Sequence, residues 1–318
     1  MSISLSHINA QNFNEIALGI FQFQLANNEI YRDFCQSIRK IEVQKLEDIP
    51  FLSISFFKTH QVTCYPNSVM DYFESSGTSG MQNSKHFIQD IKLYEESISL
   101  GFQHFFQDKK YTIVGLLPHY LERANSSLVY MVKHWMSLNQ QKEYFYLHNL
   151  EELKSELTQL LAEEKPILLI GISFGLLDLA AIFQTDSSNL TIIETGGMKG
   201  SRPEILKSEL VAALRKSFSN AHIISEYGMC ELFSQAYSDE NLWFSCPPWM
   251  RIYVSEPNDP MTLLNSGTGV AKIIDLANRD SCSFIETQDL IHLNENGKFQ
   301  IIGRIDNSDV RGCSLMYS

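Results

Sequence analysis

Between residues 111 and 226 the chain alternates short apolar runs with longer amphipathic stretches, and this alternation constrains its fold more than any other feature. The runs at 111–118, 166–171, 190–194 and 222–226 are rich in branched apolar residues and poor in charge, as strands covered on both faces must be. Between them, 125–135, 150–164, 176–183 and 204–218 carry apolar side chains at helical spacing. Repetition of this kind predicts an α/β fold with a largely parallel sheet flanked by helices.

The flanking segments read differently. Residues 13–38 predict one or two amphipathic helices, 50–57 a proline-bounded extended piece with an aromatic cluster, and 88–106 a further helix. From 243 onward short strands with turn signals take over, at 251–254, 269–275, 283–285, 290–293 and, after an Asn296-Gly297 turn, 299–302. The expected organisation is an α/β region over 1–242 and a small β-rich lobe over 243–318. A chain of 318 residues can bury a core of that size.

Charge narrows the function classes. Lys+Arg 25 against Asp+Glu 37 gives a net charge of −12, a field that repels nucleic acid and anionic membrane. The amino terminus lacks a basic segment followed by an apolar one, and no apolar run reaches membrane-spanning length, so a cytoplasmic protein is expected. Its six cysteines are scattered without C-x-x-C spacing, which points to neither zinc nor a disulfide framework.

Against that acidic background one stretch is built to receive an anion. Residues 74–86 offer hydroxyls at Ser75, Ser76, Thr78, Ser79 and Ser84, unobstructed backbone at Gly77 and Gly80, and the mobile cation of Lys85. The spacing is not that of the Walker loop, since Gln82-Asn83-Ser84 stands where Gly-Lys-Ser/Thr belongs. A Ser/Gly surface loop is the alternative. Other candidates sit at strand ends, where parallel α/β sheets bind ligands. Tyr227-Gly228 with Glu231 offers a ring to cover a purine and a carboxylate for Mg2+, and Thr195-Gly196-Gly197 a close backbone approach to a base. Asp289 and Arg304 add charge in the β-rich part. Singly, each reads equally well as an ordinary turn or surface charge.

In this order the set resembles the adenylate-forming superfamily: a Ser/Thr/Gly phosphate loop, a Gly-Gly turn, Tyr-Gly-x-x-Glu, Thr-x-Asp and Gly-Arg-x-Asp elements. Within it the chain is most similar to the acyl-protein synthetases, the family of the fatty-acid-activating component of bacterial bioluminescence. The likeness extends to Phe21-Gln22-Phe23-Gln24, Ile49-Pro50-Phe51-Leu52, Phe57-Lys58-Thr59-His60, Ser234-Gln235-Ala236-Tyr237 and Arg311-Gly312-Cys313. The resemblance implies that 75–85 holds ATP phosphates and that Gly196, Gly197 and Tyr227 frame adenine. It further implies that Glu231 ligates Mg2+, that Asp289 binds the ribose hydroxyls, and that Arg304 lies near ribose or phosphate. The implied fold is the large N-terminal part of such enzymes without the C-terminal lid, so adenylation would proceed without the lid lysine. The implied activity is adenylation of a fatty or other carboxylic acid, then acyl transfer to a thiol, with Cys313 as the candidate nucleophile and an acyl reductase or acyl carrier as partner. One departure is that Met81 to Ser84 separates Gly80 from Lys85, where the superfamily loop ends Gly-x-Pro-Lys.

Competing readings remain. Gly171-Ile172-Ser173-Phe174-Gly175 matches the nucleophile elbow, which would make Ser173 the centre of an acyl hydrolase or transferase with Asp275 and His292 as partners. A non-catalytic nucleotide-binding scaffold is another. His119, after the first apolar strand, is a candidate substrate contact in the enzyme reading, and Cys230, beside the Glu231 carboxylate, ranks below Cys313 as a thiolate.

Overall fold

The computed structural model describes residues 4–68, 71–75, 82–107, 109–117, 125–146, 149–196, 205–256 and 259–305. Helices α1 (Phe13–Asn27) and α2 (Glu29–Ser37) come first, followed by β1 (Leu52–Ser53) and α3 (Phe56–Thr59). A hairpin of β2 (Asp71–Glu74) and β3 (Lys85–Ile88) then leads into α4 (Ile91–Phe106). The alternating part consists of β4 (Thr112–Leu116), α5 (Ser127–Leu138), α6 (Leu150–Ala162), β5 (Ile167–Gly171), α7 (Ser173–Ile182), β6 (Leu190–Glu194), α8 (Lys207–Ser217) and β7 (His222–Tyr227). Seven further strands complete the chain: β8 (Ala236–Ser238), β9 (Phe244–Ser245), β10 (Met250–Glu256), β11 (Asp259–Leu264), β12 (Gly267–Asp275), β13 (Phe284–Leu293) and β14 (Phe299–Arg304).

Strands β4 to β7 pair in parallel in sequence order, as the apolar runs predict. Every residue of β5 and β6 is buried, because helices cover both faces. The sheet does not stop at β7. It continues through antiparallel β8, β9 and β14 into β13, β12, β10 and β11, so one 12-stranded mixed sheet crosses residues 242 and 243 without a break. The amino-terminal helices also reach across to this C-terminal part. Asn28 caps α2 by accepting from the Tyr31 N–H at 3.0 Å and donates its amide to the Ser281 carbonyl at 2.8 Å. Gln24 on α1 donates to the carbonyls of Asn278 and Arg279.

Two apolar layers lie on the two faces of the parallel strands. One face carries Ile113, Ile193 and Ile224 against α4 and α5, in a core that extends to the amino-terminal helices and the β-rich strands. The other carries Val114, Leu169, Ile192 and Ile223 against α6, α7 and α8. Side chains alternate along a strand, so neighbouring residues at the strand ends enter different layers.

Three elements differ from the sequence expectations. The helix expected over 88–106 begins at Ile91, after the Asp90 carboxylate has capped it, and the residues just before it form β3. The separate strands expected at 283–285 and 290–293 are one strand, β13, whose half-exposed polar middle disguises its continuity. The extended piece over 50–57 shrinks to β1, which pairs in parallel with β13, before α3. Among the described residues, no helix is long and apolar enough to cross a membrane.

Candidate functional site at the strand ends

The hairpin of β2 and β3 carries the Ser/Gly stretch as its loop. Glu74 pairs with Lys85, and beyond them Ser75 and Ser84 close the mouth: the Ser75 N–H donates to the Ser84 carbonyl at 3.0 Å, and the Ser84 N–H to the Ser75 hydroxyl at 2.9 Å. Ser76, Gly77, Thr78, Ser79 and Gly80 lie outside the described residues, as do Gly197, His119 and Cys313. Lys85 shares a hairpin face with Tyr72, and its ammonium sits 4.5 Å from the centre of that ring.

The opposite hairpin face holds a residue that sequence reasoning missed. His86 is fully buried, stacks on Phe233, and hydrogen-bonds the Cys230 carbonyl at 2.9 Å and the Ser281 hydroxyl at 2.7 Å. A carbonyl only accepts, so Nδ1 carries the proton and Nε2 accepts from Ser281. Burial drives its pKa down to about 4, and the ring is neutral near pH 7. The hairpin is thereby fastened to the turn that bears Glu231.

That turn is clamped from a second direction. The Asn278 amide donates to the Glu231 carbonyl at 2.7 Å, while the Asp275 carboxylate accepts from the backbone N–H groups of Phe233 and Ser234 and, at 2.6 Å, from the Ser234 hydroxyl. Glu231 itself is buried. Cys230 beside it is a poor nucleophile, because burial first and the Glu231 charge second push its thiol well above the usual range.

Tyr227, Asp289 and Arg304 come together from distant parts of the chain. The Tyr227 hydroxyl donates to Asp289 Oδ2 at 2.8 Å, and Asp289 is paired in register with Arg304 across β13 and β14. The Tyr227 ring packs edge-on against Phe244 and Phe299 and is only 6% exposed, so its hydroxyl, not an open ring face, is what reaches the site. Burial and the Asp289 charge raise its pKa, which keeps the phenol a donor. Gly228 follows it for a steric reason: a Cβ there would clash with Glu226 Oε1.

Gly196 has φ +75°, a conformation that favours glycine. Its N–H donates to Glu194 at 2.6 Å and its carbonyl accepts from the Ser173 N–H at 3.0 Å. Glu194 organises this corner, for it also accepts from Ser173 at 2.5 Å, from Ser225 at 2.9 Å and from Lys207.

This arrangement corrects the nucleophile-elbow reading. Ser173 is fully buried and its proton is given to Glu194, Asp275 is occupied by the Phe233–Ser234 backbone, and His292 bonds Thr268 at 3.0 Å on the exposed side of the sheet. The three residues form no hydrogen-bonded triad. The residues missed from sequence, His86, Glu194 and Asn278, act through contacts across long stretches of chain. Their signal is a polar residue within or ending an apolar alternation, as in Lys85-His86-Phe87-Ile88 and Leu190-Thr191-Ile192-Ile193-Glu194.

Comparison with known proteins gives a family and a fold. The family model described as "Acyl-protein synthetase, LuxE" matches residues 4–318. The long-chain-fatty-acid–luciferin-component ligase of Vibrio harveyi is 25% identical over 338 residues, covering 96% of this chain and 87% of that protein. Among solved structures, a 2-hydroxyisobutyryl-CoA ligase superposes with a TM-score of 0.68 at 15% identity, over 94% of this chain and 76% of its own. A long-chain-fatty-acid-CoA ligase from Archaeoglobus fulgidus gives 0.54 at 14% identity, over 77% and 53%. The last two likenesses establish the fold, an α/β arrangement like the N-terminal part of adenylate-forming enzymes.

Proposed function

Because this chain belongs to the acyl-protein synthetase family, we propose that it joins a fatty or related carboxylic acid to AMP and then passes the acyl group to a thiol. The observation that carries the reading is the meeting of Tyr227, Asp289 and Arg304 at the strand ends, directly before the clamped turn of Glu231.

The donors fit a nucleotide. Asp289 keeps Oδ1 to accept from a ribose diol while Tyr227 fixes Oδ2, and Arg304 lies beside it. Glu231 is the carboxylate that would hold Mg2+ together with phosphate oxygens and water; among the described residues no group of three His, Cys, Asp or Glu could hold a metal. When bound, ATP supplies an α-phosphorus electrophile and Mg2+ neutralises phosphate charge. The rest is alignment of two anions by residues already held in place. A carboxylate oxygen bonds to the α-phosphorus as the bond to pyrophosphate breaks. A thiolate then takes the acyl carbon and AMP leaves.

Cys313 is the proposed thiol. The five other cysteines support it by their chemistry, because burial raises all of them, Cys35, Cys64 and Cys246 to about 12. An acyl reductase or an acyl-carrier thiol is the proposed recipient.

The test is acid-dependent pyrophosphate release with ATP and Mg2+, followed by capture of an acyl-protein with labelled fatty acid. Release that requires the acid, and a hydroxylamine-labile label lost in Cys313→Ser, are the expected results. No release across fatty and aromatic acids would overturn the adenylation reading, and an unchanged label in Cys313→Ser would overturn the nucleophile.

A further inference from the structure

Opposite Glu194, on the face covered by α4 and α5, lie two buried hydroxyls without a partner among the described residues, beside a buried carboxyl. The Thr195 hydroxyl and the Tyr237 hydroxyl are buried without a hydrogen-bond partner. Glu226 is 8% exposed, and among the described residues no hydrogen bond reaches its carboxyl. The topology brings them together. Glu226 and Tyr237 are direct cross-strand partners of β7 and β8, so their side chains share a face, and Thr195 comes directly after Glu194, which ends the neighbouring β6 in register with Ser225. Buried polar groups almost always find partners, and leaving one unmade is costly, so two unpartnered hydroxyls beside a buried carboxyl mark a ligand position.

Space adjoins them. A cleft of about 410 Å³ on the same face is lined by Ile224, two residues before Glu226 on β7, and by Tyr237, Phe105 and Phe106. Its lining includes Lys109 and His222, at the opposite ends of the strands from Gly228. Along β7, Ile224 in the cleft lining stands two residues from Glu226, whose carboxyl lies against Gly228 on the nucleotide side.

We propose that Thr195, Glu226 and Tyr237 form a receptor for a hydroxyl group on the acyl chain, which makes the substrate a hydroxy-substituted fatty acid. The inference rests on the acid-activation reading and names the substrate class for it. A hydroxyl has one proton to give and two lone pairs to fill. It donates to the Glu226 carbonyl oxygen and accepts from Tyr237 and Thr195. Burial raises the Glu226 pKa to about 8, and the neutral acid that results tolerates an uncharged ligand where a carboxylate would demand a cation. A site built around a substrate hydroxyl discriminates strongly against the analogue without one, because its own polar groups then go unpaired.

The experiment is calorimetric binding of hydroxy acids, with the hydroxyl at the 2-, 3- or terminal carbon, beside unsubstituted acids of matched length. Wild-type protein, Tyr237→Phe and Glu226→Gln are compared. The expected result is tighter binding of one hydroxy isomer, on the order of 100-fold, and collapse of that ratio toward unity in both variants. Equal binding of every matched pair, or a ratio that neither variant alters, would overturn the proposal and leave the three groups as hosts of buried water. Tyr237→Phe removes one oxygen from a packed ring, so it keeps the test sound should Glu226→Gln fail to fold. Pyrophosphate release is read in parallel. A hydroxyl preference without release would contradict adenylation alone, and release without preference would contradict this proposal alone.

Discussion

Two buried glutamates, on neighbouring strands and pointing to opposite faces of the sheet, have opposite fates. Glu194 faces α7 and α8 and is saturated by Lys207, Ser173, Ser225 and the Gly196 N–H. Burial alone would raise its pKa, but Lys207 and the hydroxyl donors outweigh that and hold it below the ordinary value. Glu226 faces the other layer, receives no hydrogen bond among the described residues, and is pushed up to about 8 by burial. The same side chain at the same edge is thus a finished structural joint on one face and unfinished on the other. Structure is where polar groups are satisfied within the chain, and function is where they wait.

The strongest way to break the contrast is Glu194→Ala. It strips four donors of their acceptor and leaves the three-quarters-buried Lys207 without its counter-ion. A loss on the order of 3 kcal/mol is expected by urea denaturation. If Glu194→Ala is as stable as wild type, Glu194 is not the joint described.

Glu226→Gln sharpens the contrast through pH. A carboxyl whose folded pKa of about 8 exceeds the ordinary 4.5 holds a proton that the unfolded chain has lost, so stability is fully present below 4.5 and declines as pH rises through 8. The slope approaches at most about 1.4 kcal/mol per pH unit. The variant should flatten this decline between about pH 5 and pH 8, measured as denaturation midpoints. His86 gives the opposite limb: its depressed pKa contributes stability present above 6.5 and lost as pH falls through 4. A wild-type curve with no decline toward pH 8 would place Glu226 in contact with a cation or water that stabilises its charge.

The smallest effect belongs to Ser173→Ala, which removes one of the donors on Glu194 and should cost about 1 kcal/mol. Adenylation activity should persist, and active wild-type protein should resist fluorophosphonate labelling. Labelling at Ser173 would restore the elbow reading.

The parallel core was legible because a strand covered on both faces must be apolar throughout, and Ile167 to Gly171 and Leu190 to Glu194 are nearly so. The hairpin bearing the Ser/Gly stretch was not, since four-residue strands such as Asp71–Glu74 mix charge and aromatics without a clear period. Residue types at the site were legible as motifs. Their assembly was not: the Tyr227–Asp289 bond spans 62 positions, and the contact of His86 with Cys230 spans 144. No local pattern encodes such pairings, and Asp275 shows the hazard, read as a triad member yet used to hold the backbone of Phe233 and Ser234.

The central claim, acid adenylation at these strand ends, is tested most directly by exchange of labelled pyrophosphate into ATP, run with and without carboxylic acids in wild type and Asp289→Ala. The account predicts exchange that requires both an acid and Mg2+, and that falls on the order of 100-fold in the variant as the nucleotide loses its ribose contact. Folded wild-type protein that exchanges no pyrophosphate with any fatty, hydroxy or aromatic acid would contradict it.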